Sequence, residues 1–279
     1  MTLPRNLISD STLVNETFEF ANGSGGRATF VSVAETILNL TNVSADLAAS
    51  LVGELVQNDP RFNLEGEHLL VQTDEAASAP LRDLEFVVLD VEAIHDRRMP
   101  ARIIELGAYR VRAGKVLDEF ETLINPDANV PRFLANLTGI SDEMLASAPK
   151  FADVADAWLD FIGDAVLVAH NANFDLPLLN REIGRVFPGY RLRNSHLCTV
   201  DLARRLVPQL ESHRLDSVAA YFRIDIPRRH RATDDALATA RVFLQLLGDL
   251  SENGIRTLPE ARKFQAKFPA GELQLAFDA

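Results

Sequence analysis

The sequence predicts an α/β protein in two parts. A mixed sheet covered by helices follows a smaller α+β unit of helices and a hairpin. Three observations predict this. First, EFVVLDVE, RIIELGAYRVRAG and KVLDEFETLINP are consecutive apolar runs of strand character, the last two meeting at Gly114-Lys115 as in an antiparallel meander. Second, from residue 151 onward, helix-period segments alternate with short apolar strands, the pattern of parallel strands joined through helices. Third, TDEAASAPLR at residues 73–82 is polar, rich in small residues and contains a proline, which marks it as a linker.

The first unit, residues 1–72, reads as three helices and a hairpin. STLVNETFEF is a short helix with Ser11 as its cap, ANGSGG a turn, and FVSVAETILNL a second helix. Ser44 caps a third, ADLAASLVGELVQ, where Leu47, Leu51 and Leu55 recur at helical spacing. FNLEGEHLLVQ turns at Glu65-Gly66. This order resembles a winged helix, a fold often used on DNA. Residues 1–80, however, carry three basic residues against eleven acidic ones, and the third helix has no Arg or Lys to meet phosphate. A protein-contact or packing role is therefore expected for this unit.

The second unit spans residues 83–248. After the three strands, Ser141 is placed to cap DEML, and FADVADAWLDFIG is a helix leading to the strand AVLVAH. The helix FDLPLLNREIGRVF, the strand HLCTV and the helix DLARRLV follow, then LDSVAAYFRI and ATDDALATARVFLQLLGDL. A tail, residues 249–279, contains a further helical segment, TLPEARKFQAKF, and ends in the weakly apolar GELQLAFDA.

Composition narrows the function. The net charge of -12 argues against a protein that coats nucleic acid with a basic surface. It leaves room for a nuclease, because bound divalent cations offset acidity locally. The single cysteine, Cys198, excludes an intrachain disulfide and a cysteine-rich zinc site. The chain reads as cytoplasmic, with no signal peptide and no uncharged run of membrane-spanning length.

Within FVVLDVEAIHD, strand alternation puts Asp90 and Glu92 on one face. Two adjacent carboxylates on an apolar strand must be protonated, paired with bases or bridged by a cation, unless the strand end simply faces solvent. VLVAHNANFD repeats the arrangement: an apolar strand ends in polar groups, with Asp175 near a helix start and Pro177 tolerated in its first turn. Asp175 alone could be a helix cap, and His170 alone a satisfied core histidine. In RRHRATDDALATARVFLQLL, projection from Asp235 aligns Thr239, Val242, Phe243 and Leu246, so Asp235 rather than Asp234 turns inward. His230 lies five residues earlier, in the loop before that helix. Asp90, Glu92, Asp175 and Asp235 make a hard oxygen set suited to Mg²⁺ or Mn²⁺. Two such ions, roughly 3.5–4 Å apart, activate water and stabilise a leaving oxygen. A nearby imidazole can take the water's proton.

These motifs resemble the DnaQ-like 3′–5′ exonucleases of the histidine-containing DEDD class, which include the proofreading epsilon subunit of bacterial DNA polymerase III. The resemblance covers residues 83–248 and rests on DVE, HNANFD and HRATDD in order, with RIIELGAYRV, NPDANVP, LTGI and CTVDLARR between them. It implies a ribonuclease-H-like sheet of three antiparallel strands followed by parallel ones. It implies Asp90, Glu92, Asp175 and Asp235 as ligands of two Mg²⁺ or Mn²⁺ ions, and His230 as general base. It also implies that His170, Asn171 and Phe174 shape the substrate cleft. Motif one departs from the common Asp-x-Glu-Thr-Thr-Gly: Ala93, Ile94 and His95 follow Glu92, in the stretch that lies against the terminal nucleotide in the family. His95 there either contacts phosphate or base, or sits at the cleft rim.

The expected activity is removal of nucleoside 5′-monophosphates from a single-stranded 3′ end of DNA, in proofreading or repair, delivered by a polymerase or repair protein. One alternative is an RNA 3′–5′ exonuclease, since selection turns on how the cleft treats the 2′ position. Another is a catalytically weak module that binds nucleic-acid ends or protein.

Overall fold

A computed structural model describes residues 6–72, 79–96 and 99–266. The chain divides into two units, one formed by residues 1–75 with 183–193, the other by residues 76–182 with 194–279.

In the first unit, β1 (Leu7–Ser9) precedes α1 (Thr12–Gly23), β2 (Arg27–Thr29), α2 (Phe30–Thr36) and α3 (Ala45–Val56). The hairpin β3 (Phe62–Glu65) and β4 (His68–Val71) follows, turning at Gly66 with φ 57°. The three-stranded sheet runs β2-β4-β3, and β1 pairs antiparallel with Tyr190–Leu192. Ser44 caps α3 by accepting from the Leu47 N–H, whereas Ser11 precedes α1 without a side-chain cap bond. The apolar face of α3 differs from the expected leucine stripe. Ala48, Val52 and Val56 are the buried positions, packed with Val33, Ala34 and Leu69, while Leu47 is half exposed. The smaller side chains let α2 and α3 approach closely, which turns the bulkier stripe by one position toward the edge. Of the basic residues here, Arg61 is buried and bonded to Asp59 and Asn15, and Arg27 reaches His68.

The second unit opens with a single 3-10 turn (Leu81–Asp83) and three long strands, β5 (Glu85–Asp96), β6 (Met99–Arg112) and β7 (Lys115–Leu123). Next come α4 (Arg132–Thr138), α5 (Asp142–Ala146), α6 (Phe151–Ile162), β8 (Val166–Ala169) and α7 (Ala172–Val186). β9 (Tyr190–Leu192) belongs to the first unit, and the second continues with β10 (His196–Cys198), α8 (Thr199–Leu206), α9 (Leu215–Tyr221), α10 (Ala232–Glu252) and α11 (Leu258–Gln265). The five-stranded sheet has the order β10-β8-β5-β6-β7, antiparallel among β5, β6 and β7 and parallel from β5 through β8 to β10. That is the mixed sheet expected from the strand pattern.

Local chemistry moves several boundaries. The β6–β7 turn falls at Ala113 (φ 50°) and Gly114 (φ 74°), one residue earlier than expected, because a tight hairpin needs positive φ at both central positions. α7 begins at Ala172, so Pro177 lies in its second turn rather than its first. β5 runs on past Glu92 to Asp96, with a register shift between Glu92 and Ala93. The described end of the expected linker is docked: Pro80 bridges Thr257, and Leu81 is buried among core residues of the second unit. Residues 73–78 of that linker lie outside the described residues. The expected tail likewise begins inside structure, since α10 continues to Glu252 and α11 buries Leu258 and Ala261 in the same core. GELQLAFDA lies outside the described residues.

α10 positions the site. It crosses β5 and β6, with Phe243 set edge-on against Phe86 at 4.9 Å between ring centroids. Its first turn meets β6 at Gly107, where a Cβ would stand 2.4 Å from the Thr233 nitrogen. Only glycine permits that approach. Gly107→Ala is therefore expected to destabilise the protein by about 1–3 kcal/mol and lower its melting midpoint. A wild-type midpoint in thermal denaturation would show that α10 can withdraw freely.

Candidate active site

Asp90 and Glu92 stand on the same face of β5, just before a register shift in its pairing with β6. Bulges of this kind re-aim side chains and gather near active sites. Asp175, in the first turn of α7, is buried, and its Oδ1 accepts from the Val91 N–H at 3.2 Å, which ties it to the strand between the other two acids. Asp235 is buried in the first turn of α10. Asp234 points outward to Arg228 at 2.6 Å, so the helical projection chose the inward aspartate correctly. Glu92, His230 and Asp235 offer ligand atoms all within 4.8 Å of one another.

The carboxylates resist ionisation, and each has an identifiable cause. Burial pushes Asp90 well above the usual carboxylate range, and Asp175, Asp235 and Glu92 push it further. Glu92 rises to about 7, chiefly by burial and then by Asp235 and Glu105. Asp175 rises to about 8, with burial outweighing the backbone N–H bonds that favour its charge. Asp235 is also raised by burial, against the pull of Arg229. Asp235 Oδ1 is buried without a hydrogen-bond partner among the described residues, while Oδ2 accepts from Arg229 and from the His230 N–H. A cluster of acids with one orphaned oxygen fits a divalent cation, and the all-oxygen carboxylate set favours a hard one.

A stability prediction follows from these shifts. In the unfolded chain Glu92 and Asp175 ionise near 4.5 and 3.8, far below their folded values. The metal-free fold is thus most stable where both are protonated, and it loses stability as pH climbs through about 7 and 8. A bound divalent cation removes the repulsion and gains affinity as the protons leave. The melting gap between Mn²⁺-supplied and chelator-treated protein is expected to widen from about pH 6 to about pH 8.5. A constant gap would mean these acids do not hold the ion.

The remaining expected site residues separate. Asn171 (φ 84°) lines a cleft of about 680 Å³ together with Asp90, Arg204, Arg214 and His230. His95 is exposed and stacks on Phe174, ring centroids 5.4 Å apart at 27°. Ile94 is corrected: it is buried in an apolar cluster with Val130, Leu134, Ile140 and Ile104, the unpaired residue of β6 at the register shift, so it faces core and not nucleotide. Ala93 is also largely buried. His170 touches the cleft, yet both ring nitrogens are engaged, Nδ1 with Thr199 Oγ1 at 2.9 Å and Nε2 with the His213 carbonyl at 3.0 Å. Burial lowers it to about 4, so it stays neutral and ties β8 to α8 and the loop before α9. It is a satisfied histidine that also lines the cleft.

Three residues escaped the sequence reading. Glu105 on β6 is wholly buried directly opposite Glu92. Like charges so placed repel, but Glu105 is taken up by Arg231 at 2.6 Å. Arg229 pairs with both Asp216 and Asp235. The one available signal was the density of arginines in RRHR beside an acidic helix start.

A family model described as Exonuclease matches residues 83–243, more than half of the chain. The chain belongs to this exonuclease family. Residues 83–243 form a DnaQ-like exonuclease domain, and dependence on divalent metal is general for the family. The PolC-type DNA polymerase III of Bacillus subtilis is 38% identical over 181 residues, covering 65% of this chain and 13% of that protein. The DNA polymerase III epsilon subunit of Aquifex aeolicus is 35% identical over 170 residues, covering 61% of this chain and 84% of the subunit. The chain thus spans about an eighth of the PolC-type relatives it matches. Among solved structures, Escherichia coli exonuclease I with a dT13 oligonucleotide shares the fold at 17% identity, covering 62% of this chain and 43% of that one, with a TM-score of 0.54. No helix among the described residues is long and apolar enough to cross a membrane.

Proposed function

We propose that this exonuclease uses two Mg²⁺ or Mn²⁺ ions to remove nucleoside 5′-monophosphates from single-stranded 3′ ends of DNA. The observation that carries the reading is the convergence of Asp90, Glu92, Asp175 and Asp235, each held against ionisation by burial, beside His230, with Asp90 and His230 lining one cleft. Bound ions would activate water and stabilise the leaving oxygen. Asp90, whose ionisation the other three acids all oppose, would hold the ions together with them. His230 would take the proton from water. The His95–Phe174 pair would offer a stacking face to the terminal base, and Asn171 lines the cleft that holds Asp90 and His230.

The substrate class is supported by the relatives' names, a PolC-type polymerase and an epsilon subunit of DNA polymerase III. A net charge of -12 gives the chain little long-range attraction for nucleic acid, so delivery by a polymerase or repair protein in the cytoplasm suits it. Residues 1–72, winged-helix-like in element order, would serve protein contacts: Arg61 is internally paired and α3 has no basic residue. The test is a degradation panel of matched 5′-labelled DNA and RNA, as single strands, duplexes and mismatched ends, with Mg²⁺, Mn²⁺ or chelator. Ladders from the 3′ end of single-stranded and mismatched DNA, abolished by chelator, are expected. Preference for RNA, or no shortening in either metal, would overturn the assignment.

A further inference from the structure

His230 sits in the left-handed region, at φ 62°, which a residue with a Cβ adopts only at a cost in backbone strain. Something must hold it there, and both of its neighbours are anchored on other elements. Arg231 donates through Nε and Nη2 to Glu105 Oε1 at 2.9 and 2.6 Å, while the Ala232 N–H donates to Oε2 at 2.8 Å. Both oxygens of a buried carboxylate on β6 are thereby spent on the segment that carries His230. On the other side, Arg229 donates to Asp216 at the start of α9 and to Asp235 Oδ2, which also accepts from the His230 N–H. The arginines themselves run against local preference. They flank the N-terminal end of α10, where the helix dipole disfavours cations. Their placement is explained by the carboxylates they reach.

We propose that Arg229 and Arg231 form a clamp, anchored on Asp216 and Glu105, that positions the His230 imidazole over the acidic pocket. They are positioning residues, and the inference rests on the reading of His230 as the general base. The left-handed residue sets the direction of the imidazole. Releasing either anchor lets the backbone relax toward ordinary φ and swings the ring away, and a displacement near 1 Å is enough to slow a reaction about a hundredfold. Binding of the nucleotide, made by other surfaces of the cleft, would be little changed.

The test uses the full chain and the variants Arg231→Ala, Arg231→Lys, Asp216→Asn and His230→Asn. Steady-state hydrolysis of a 5′-labelled single-stranded DNA is combined with amide exchange across residues 228–233 in chelator-treated protein and with melting midpoints. Arg231→Ala is expected to lower kcat about tenfold to a hundredfold with KM changed less than about threefold. Exchange at His230 and Ala232 should accelerate in the absence of metal, and Arg231→Lys should restore part of both. Asp216→Asn, altering an exposed anchor, should shift kcat in the same direction by less, and it keeps the clamp testable if Arg231→Ala fails to fold. Wild-type kcat or wild-type exchange in either folded variant overturns the clamp. Should His230→Asn retain full activity, the general-base reading itself falls. If that variant is inactive while Arg231→Ala is not, only the clamp does.

Discussion

Asp90→Asn is expected to reduce hydrolysis to the background of chelator-treated wild type while leaving the fold intact. The side chain keeps its shape but loses the charge through which it would hold cations. Its environment makes the second half of the prediction as specific as the first. Asp90 is the most strongly surrounded acid of the group, with burial and the charges of Asp175, Asp235 and Glu92 all opposing its ionisation. A neutral amide removes that repulsion, so in chelator near pH 8 the variant should melt no lower than wild type. Stability and activity then move apart, as they do where a site is built at the expense of the fold. Circular dichroism melts beside a metal-supplied nuclease assay check both halves. A variant that hydrolyses DNA at the wild-type rate would remove Asp90 from the chemistry.

His230→Asn should lower kcat by about 10²- to 10⁴-fold, the usual worth of a positioned general base. Asparagine is chosen because it tolerates the left-handed backbone that position 230 requires, so the loss is not a folding artefact. The four carboxylates remain, and Mn²⁺ affinity measured by calorimetry should stay within about tenfold of wild type, an order-of-magnitude bound for one lost neighbour. A matched loss of metal affinity and rate would instead assign the imidazole to the ions, which its place within 4.8 Å of Glu92 and Asp235 makes a real alternative outcome.

Much of this site was legible in the sequence because its signals are periodic. Strand alternation put Asp90 and Glu92 on one face, and helix projection separated Asp235 from Asp234. What could not be read depends on partners far away in the chain. Glu105 and Arg231 are 126 positions apart, and neither strand nor helix periodicity distinguishes a buried glutamate with a partner from an exposed one. The register shift after Glu92 is a property of β5 against β6 together, and the cluster that buries Ile94 comes from other segments, so its burial was hidden in β5 alone. β1 and β2, of three residues each, were too short to show alternation, and β1 pairs with a strand more than 180 positions away. His170 was ambiguous until Thr199 and the His213 carbonyl were seen on its two nitrogens.

The late position of α10 has a consequence for synthesis. Asp90, Glu92 and Asp175 leave the ribosome well before the helix that carries Asp235 and packs Phe243 against Phe86. Until then the β5–β6 face lacks its largest cover. A chain interrupted before residue 232 holds Asp90 and Glu92 on an apolar sheet, with Asp175 on α7, and the uncovered apolar surface invites aggregation. Partial products are thus hazardous to themselves, and under the proposed two-ion reading they lack one of its four carboxylates.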